Sequence, residues 1–208
     1  MLNIINHPLI KHKLGIMRSS KTSSKEFREL MKEIAMLLCY EATKDLRLES
    51  SKVLLWTGKQ EKVERLTGKK PVLVPIWRAG HYFSRGIEEL IPSAKINPIG
   101  LSRDDTTLKP KIYYENWCSD ISKRTVFVVD PMLATAGSMD FTLNRLKQVG
   151  CTDIRAIVLI AAPEGKVLLE KNHPEVPVYA AALDTQLDKS GYIHPGLGDA
   201  GDRLFGTY

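Results

Sequence analysis

Cysteine, long apolar runs and blocks of like charge are all scarce in this 208-residue chain. Only Cys39, Cys118 and Cys151 occur, far apart and with no CxxC spacing. Neither a disulfide framework nor a cysteine metal site is expected, and the three read as packing thiols. No apolar stretch reaches the roughly 18–20 residues that cross a bilayer, and residues 1–10 lack the basic flank and apolar core of a secretory signal, so the expectation is a cytoplasmic protein without a membrane partner. Repeats and low-complexity segments are also missing. Long cationic tracts are absent too: bases alternate with acids, as in Lys32-Glu33 and Lys59-Gln60-Glu61-Lys62. The net charge of +6 asks for an anionic partner. Scattered as it is, it suits a solvated surface better than a dedicated nucleic-acid face.

What is present describes a globular chain. Hydrophobic content of 43% against 26% charged fits a folded domain, and the length suffices for one ample core without metals or crosslinks. Ser23-Ser24-Lys25-Glu26 has the capping-box pattern, and Phe27, Leu30, Ile34, Leu37 and Leu38 follow at helical spacing, predicting an amphipathic helix to about Tyr40. Short apolar runs at residues 72–76, 96–101, 125–129, 154–161 and 178–183 read as strands. Between them, helical spacing predicts helices over residues 139–149 and 163–173. Such alternation predicts an open α/β sheet with helices on both faces and a ligand site beyond the carboxyl ends of the strands, the edge where Arg78, Arg103 and Asp130 fall. The last 24 residues, with five glycines and little periodicity, read as ordered loop and not as a packed layer.

The most informative segment runs from Val128 to Ser138. A β-branched strand delivers Asp130, and Pro131, Met132, Leu133, Ala134, Thr135, Ala136, Gly137 and Ser138 then lead into a helix start. Backbone amides, two hydroxyls and the positive helix end can wrap a phosphate monoester there, while the carboxylate accepts hydrogen bonds from vicinal sugar hydroxyls. Together these halves describe a ribose 5-phosphate site; each alone also fits a capped, tightly packed αβ turn.

This segment resembles the phosphoribosyl pyrophosphate motif of type I phosphoribosyltransferases, and its Asp-Pro-Met-Leu-Ala-Thr form is similar to that of the uracil phosphoribosyltransferases. Pro131 stands where the broader class carries a second acid. The likeness extends along nearly the whole chain, through His7-Pro8-Leu9, Thr22-Ser23, Glu26 to Leu30, Tyr40-Glu41-Ala42, Pro75-Ile76, Arg78-Ala79-Gly80, Ala161 to Gly165 and Gly196 to Arg203. It implies a mostly parallel sheet with helices on both faces in one domain over residues 1–208, with a C-terminal hood at 184–208 and a β-arm. The implied reaction is transfer of the 5-phosphoribosyl group from 5-phosphoribosyl 1-pyrophosphate (PRPP) to uracil, giving UMP and pyrophosphate in pyrimidine salvage.

Carried over by position, the resemblance assigns PRPP to Arg78, Arg103, residues 130–138 and Asp199. Uracil falls to Ile193, Gly198, Asp199 and Ala200, and catalysis to Arg78, Arg103 and Asp199. It implies Mg2+ bound mainly through PRPP, with no protein metal ligand assigned. Relatives form homodimers or larger assemblies, and some respond to GTP. Two guanidiniums beside a departing pyrophosphate make physical sense, because the anion they face gains charge at the transition state. A rival reading, an RNA-binding regulator sensing UMP on the same scaffold, is disfavoured by the complete set Arg78, Arg103, Asp130 and Asp199.

Departures from the family pattern cluster beside the expected site: Trp77, His81-Tyr82-Phe83, Ser102, Ala136 and His194. His81-Tyr82-Phe83 is bulky enough to crowd a pyrophosphate, and Ala136 costs about 1 kcal/mol or more if its backbone needs a positive φ. His81 and His194 stand alone, without metal-ligand spacing, and receive no role. Residues 109–119, which hold Tyr113-Tyr114, read as a closing lid.

Overall fold

The computed structural model describes residues 1–103 and 110–207, without the Arg103 side chain. The chain opens with β1 (Leu2–Ile4), α1 (Pro8–Arg18) and α2 (Ser24–Ala42). Ser23 caps α2 as the sequence predicts, its hydroxyl accepting the Glu26 N–H at 3.2 Å. The helix runs two residues past Tyr40 and buries Phe27, Leu30, Met31, Ile34 and Leu38. Next come β2 (Leu48–Leu54) and β3 (Gln60–Leu66), an antiparallel hairpin forming a sheet of its own. Its pattern is weak, since Leu48, Leu54 and Leu66 are exposed among charges.

After β4 (Val72–Trp77) and α3 (Ala79–Leu90), the strand expected over residues 96–101 arrives as two, β5 (Lys95–Ile96) and β6 (Ile99–Arg103). Pro98 lies between them and has no N–H to continue the ladder. The chain continues with β7 (Pro110–Glu115), β8 (Val126–Val129), β9 (Met132–Leu133), α4 (Gly137–Gln148), β10 (Ile154–Ala161), α5 (Pro163–Asn172), β11 (Val178–Leu183), β12 (Gln186–Leu187), β13 (Ile193–His194) and α6 (Ala200–Phe205).

The main sheet has the order β1-β11-β10-β8-β4-β6-β7, with β5 beside β4 and β9 beside β10; all pairs are parallel except β6–β7. Successive residues of the central strands feed opposite faces, as strand geometry requires. Leu73, Phe127, Val129, Ile157 and Leu159 join a core with α1, α2, α3 and α6 residues such as Ile10, Phe27, Phe83 and Leu204. Val72, Val74, Val126, Val128, Ala156 and Val158 pack with Met139, Leu143, Leu146 and Leu169 of α4 and α5 on the other side. Burial on both faces accounts for the continuous apolar runs; each large side chain contributes on the order of 1.5–3 kcal/mol.

One expectation is corrected. The C-terminal segment does pack: Ile193, Leu197, Ala200 and Leu204 are buried in the first core, and α6 is a six-residue helix capped by the Asp199 carboxylate. So short a helix repeats its pattern too few times for periodicity to show.

Candidate active site

Val129 ends β8 with Asp130 at the carboxyl edge of the sheet. Among the described residues its carboxylate has one hydrogen-bond partner, the Met132 N–H, which donates to Oδ1 at 3.5 Å. Burial pushes the Asp130 carboxyl up to about 7, against the weaker opposing pull of that N–H. Pro131, Leu133 and Ala136 turn inward and are buried, whereas Thr135 is exposed and Ser138 half-buried. Ala136 stands at the N-cap of α4 with φ 65°, the left-handed conformation its sequence position put in question. It offers no capping side chain, so the first N–H groups of α4 find no side-chain acceptor in their N-cap residue. The loop is seated from below by α5. A Cβ on Gly165 would lie 2.5 Å from the Ala134 carbonyl oxygen and 2.9 Å from that of Leu133, so only glycine allows this approach.

Arg78 follows β4 and heads α3, with its side chain exposed. Its guanidinium carbon lies over the Phe205 ring, 5.4 Å from the centroid. Among the described residues it forms no ion pair and no hydrogen bond through its side chain. Trp77, one residue earlier, stacks on Tyr114 of β7 with centroids 4.8 Å apart and planes 18° from parallel. The expected lid is therefore a strand over Pro110–Glu115, bonded to β6 and held by that stack. Lys109 and the Arg103 side chain lie outside the described residues. Of the bulky His81-Tyr82-Phe83, Phe83 is buried in the core, Tyr82 packs edge-on against Phe205 at 5.3 Å, and none of the three lines the cleft described below.

Opposite stands the C-terminal segment, fastened by contacts from distant parts of the chain. Asp184, 6% exposed, accepts two hydrogen bonds from Arg18, at 2.6 and 2.8 Å, and one from the Gly196 N–H at 2.9 Å. Arg18 also donates to the Gly196 carbonyl at 2.8 Å. Arg203 donates to the carbonyls of Met17, Leu197 and Ser19 and lies over the Phe27 ring. Gly196 has φ 60°, and any Cβ there would overlap the Ile193 carbonyl oxygen. His194 turns away from a ligand role to bond Asp188 at 3.0 Å, holding that carboxyl below its usual range.

A cleft of about 310 Å³ lies between these walls. It brings together Arg78, Met132, Ala134, Ile193, Gly198, Asp199 and Ala200, separated by up to 122 positions in the chain. Asp130, Thr135, Gly137 and Ser138 belong to the same loop without lining this volume. Ala79, Gly191, Tyr192 and Gly201 also line it; the sequence assigned none of them a site role, although Ala79 and Gly201 fall within the family-like segments. An exposed tyrosine beside Ile193 was the available signal. The anchors Arg18 and Asp184 carried none, because an isolated arginine and aspartate 166 residues apart look like solvated charges. No three His, Cys, Asp or Glu side chains converge to hold a metal among the described residues.

Sheet order, the loop after β8 and an opposing C-terminal wall define a phosphoribosyltransferase fold. The chain is similar to a purine phosphoribosyltransferase from Pyrococcus horikoshii (14% identity, 76% of this chain and 89% of the other, TM-score 0.50). It is also similar to a hypoxanthine-guanine phosphoribosyltransferase from Bacillus anthracis (15%, 77% and 80%, 0.54). At such identity the likeness is one of fold. The family itself is given by sequence: the profile described as uracil phosphoribosyltransferase matches residues 4–207, and the chain belongs to that family. A solved structure of the AQ2163 protein from Aquifex aeolicus is 38% identical over 99% of this chain and 98% of the other, with a TM-score of 0.92. The protein is thus a PRPP-dependent phosphoribosyltransferase.

Proposed function

We propose that this enzyme uses uracil as the acceptor and makes UMP. The supporting observation is a single cleft in which Arg78, the loop after β8 and the Ile193–Ala200 main chain converge, in a chain matched over residues 4–207 by the uracil family. Residues 130–138 take the ribose 5-phosphate: the amides at the start of α4 and the Thr135 and Ser138 hydroxyls face the phosphate, and Asp130 accepts from the ribose hydroxyls. Arg78 and Arg103 hold the pyrophosphate, and Asp199 faces the donor. As uracil N1 bonds to the anomeric carbon, the bond from that carbon to pyrophosphate oxygen breaks and the N1 proton leaves. Orientation of the base and stabilisation of the departing anion supply the rate.

A magnesium ion fits this site as a passenger of the donor. Asp130 and Asp199 are the carboxylates the proposal sets beside PRPP, too few to form a protein cage and suited to an ion whose other ligands are phosphate oxygens. When bound, it neutralises charge on the leaving pyrophosphate.

Uracil meets main-chain groups around Ile193 and Ala200, where an amide donates to O4 and a carbonyl accepts from the N3 hydrogen. Cytosine inverts both partners and leaves two groups unpaired, so its catalytic efficiency should be lower by about four orders of magnitude. Competition among uracil, cytosine, hypoxanthine and adenine, read as nucleotide formed, tests the assignment. Comparable use of cytosine, or preference for a purine, refutes it. Arg78→Ala should lower turnover by roughly two orders of magnitude; near-normal kinetics would remove Arg78 from the pyrophosphate site.

A further inference from the structure

We propose that Phe205, the last residue of α6, is a positioning residue that orients the Arg78 guanidinium toward the pyrophosphate by presenting its ring face; the inference rests on the proposed role of Arg78. Three observations carry it. Arg78 lies 5.4 Å from the Phe205 centroid and has no carboxylate or carbonyl partner among the described residues. Phe205 is 39% exposed, so core filling does not account for its place. Its ring is braced: Tyr82 meets it edge-on at 5.3 Å and 76°, and Arg28 ties the adjacent Leu204 carbonyl at 2.7 Å.

A carboxylate would orient the guanidinium equally well, but it would also neutralise it, and an incoming pyrophosphate would first have to displace that acid. An aromatic face holds the cation through its quadrupole without occupying the N–H groups, which lie in the guanidinium plane and stay free for phosphate oxygens. Tyr82 fits the arrangement, since its ring supplies the edge that fixes Phe205. The α6 helix would then serve both substrates: its start, at Ala200, lines the base side of the cleft, and its end steers the arginine on the leaving-group side.

The test measures binding of magnesium pyrophosphate to the full-length enzyme by calorimetry, with KM for PRPP alongside. Phe205→Leu, which keeps bulk and apolarity but loses the ring face, should weaken pyrophosphate by about two- to fivefold, whereas Phe205→Tyr should retain affinity. Replacing Phe205 by mono-, di- and trifluorophenylalanine keeps its shape and drains the ring face stepwise; affinity should fall in the same order, a trend that a packing role would not produce. In an Arg78→Ala background the Leu substitution should have no further effect. Affinity unchanged in Phe205→Leu, or indifferent to fluorination, overturns the inference. If Arg78→Ala weakens pyrophosphate binding while every Phe205 variant matches the parent, only the positioning role falls. If Arg78→Ala itself binds normally, the reading of Arg78 falls and this inference with it.

Discussion

The two walls of the cleft are built in opposite ways. The loop after β8 is contiguous in sequence, small-residued from Ala134 to Ser138, and held by backbone geometry: the left-handed turn at Ala136, the close seat on Gly165 and pairing of β9 with β10. The C-terminal wall is held by side chains from far away, Arg18 on Asp184 and Arg203 on three carbonyls. On the proposed function, the first wall wraps a phosphate and needs its amides free and fixed, which backbone geometry provides. The second would close over a base; it carries few regular elements, so its order is supplied by long-range hydrogen bonds.

The largest expected effect breaks the C-terminal wall. Asp184→Ala leaves Arg18 and the Gly196 N–H without their buried acceptor, a loss of about 3–5 kcal/mol for a buried pair, tempered here because the Arg18 head is partly exposed. Thermal unfolding should drop by roughly 6–15 °C, and KM for uracil should rise more than KM for PRPP. Equal rises in the two constants would contradict a division of labour between the walls. The next effect falls on the other side. Gly165→Ala drives a methyl into the Ala134 carbonyl oxygen and should cost about 1–3 kcal/mol, raising KM for PRPP more than that for uracil.

That contrast also explains what could be read in the chain. The central strands β4, β8 and β10 are apolar on every residue or nearly so, and the loop from Asp130 to Ser138 keeps its chemistry in one uninterrupted segment, so both were legible. Helix α2 showed itself through Ser23 and its apolar stripe. The hairpin β2–β3 did not, because an exposed two-stranded sheet has no buried face to impose alternation. Nor did α6, too short for a period, or the Arg18–Asp184 clamp, which exists only after the chain ends have met. The bulk of His81-Tyr82-Phe83 was visible, but its direction was not: helix α3 points Phe83 into the core and Tyr82 at Phe205.

Titration of Asp130 sharpens the comparison further. Its folded pKa, pushed up to about 7, lies above the ordinary 3.8. Its contribution to the stability of the free enzyme is therefore fullest below about 4 and is lost as pH rises through about 7. On the proposed role of Asp130, donor binding should run the other way, because ribose hydroxyls need the ionised acceptor. Between pH 6 and 8 the ionised fraction of a group titrating near 7 rises about tenfold, and PRPP affinity should rise by a similar factor relative to Asp130→Asn, in which this titration is removed. Using the Asn variant as reference cancels the titration of PRPP itself. Parallel pH profiles for the two enzymes would return Asp130 to a structural role.

The smallest effect is expected at Ala136, and it asks whether the phosphate loop is held by backbone alone. Three terms bear on Ala136→Gly. Relief of a left-handed L-residue is worth roughly 1–2 kcal/mol. Against it stand the added freedom of glycine in the unfolded chain, about 0.4–1 kcal/mol, and the lost burial of one methyl, at most about 0.8 kcal/mol, at a side chain that is 5% exposed. These nearly cancel, so the variant should unfold within about 1 kcal/mol of the parent, a shift of no more than roughly 4 °C, with KM for PRPP unchanged because the amides keep their conformation. A loss well beyond 1 kcal/mol in denaturant titration would mean that the methyl contributes more through packing than the turn loses through strain. The phosphate wall would then depend on side-chain contacts as the C-terminal wall does, and the contrast between the two would fail at the residue where it is most exposed to test.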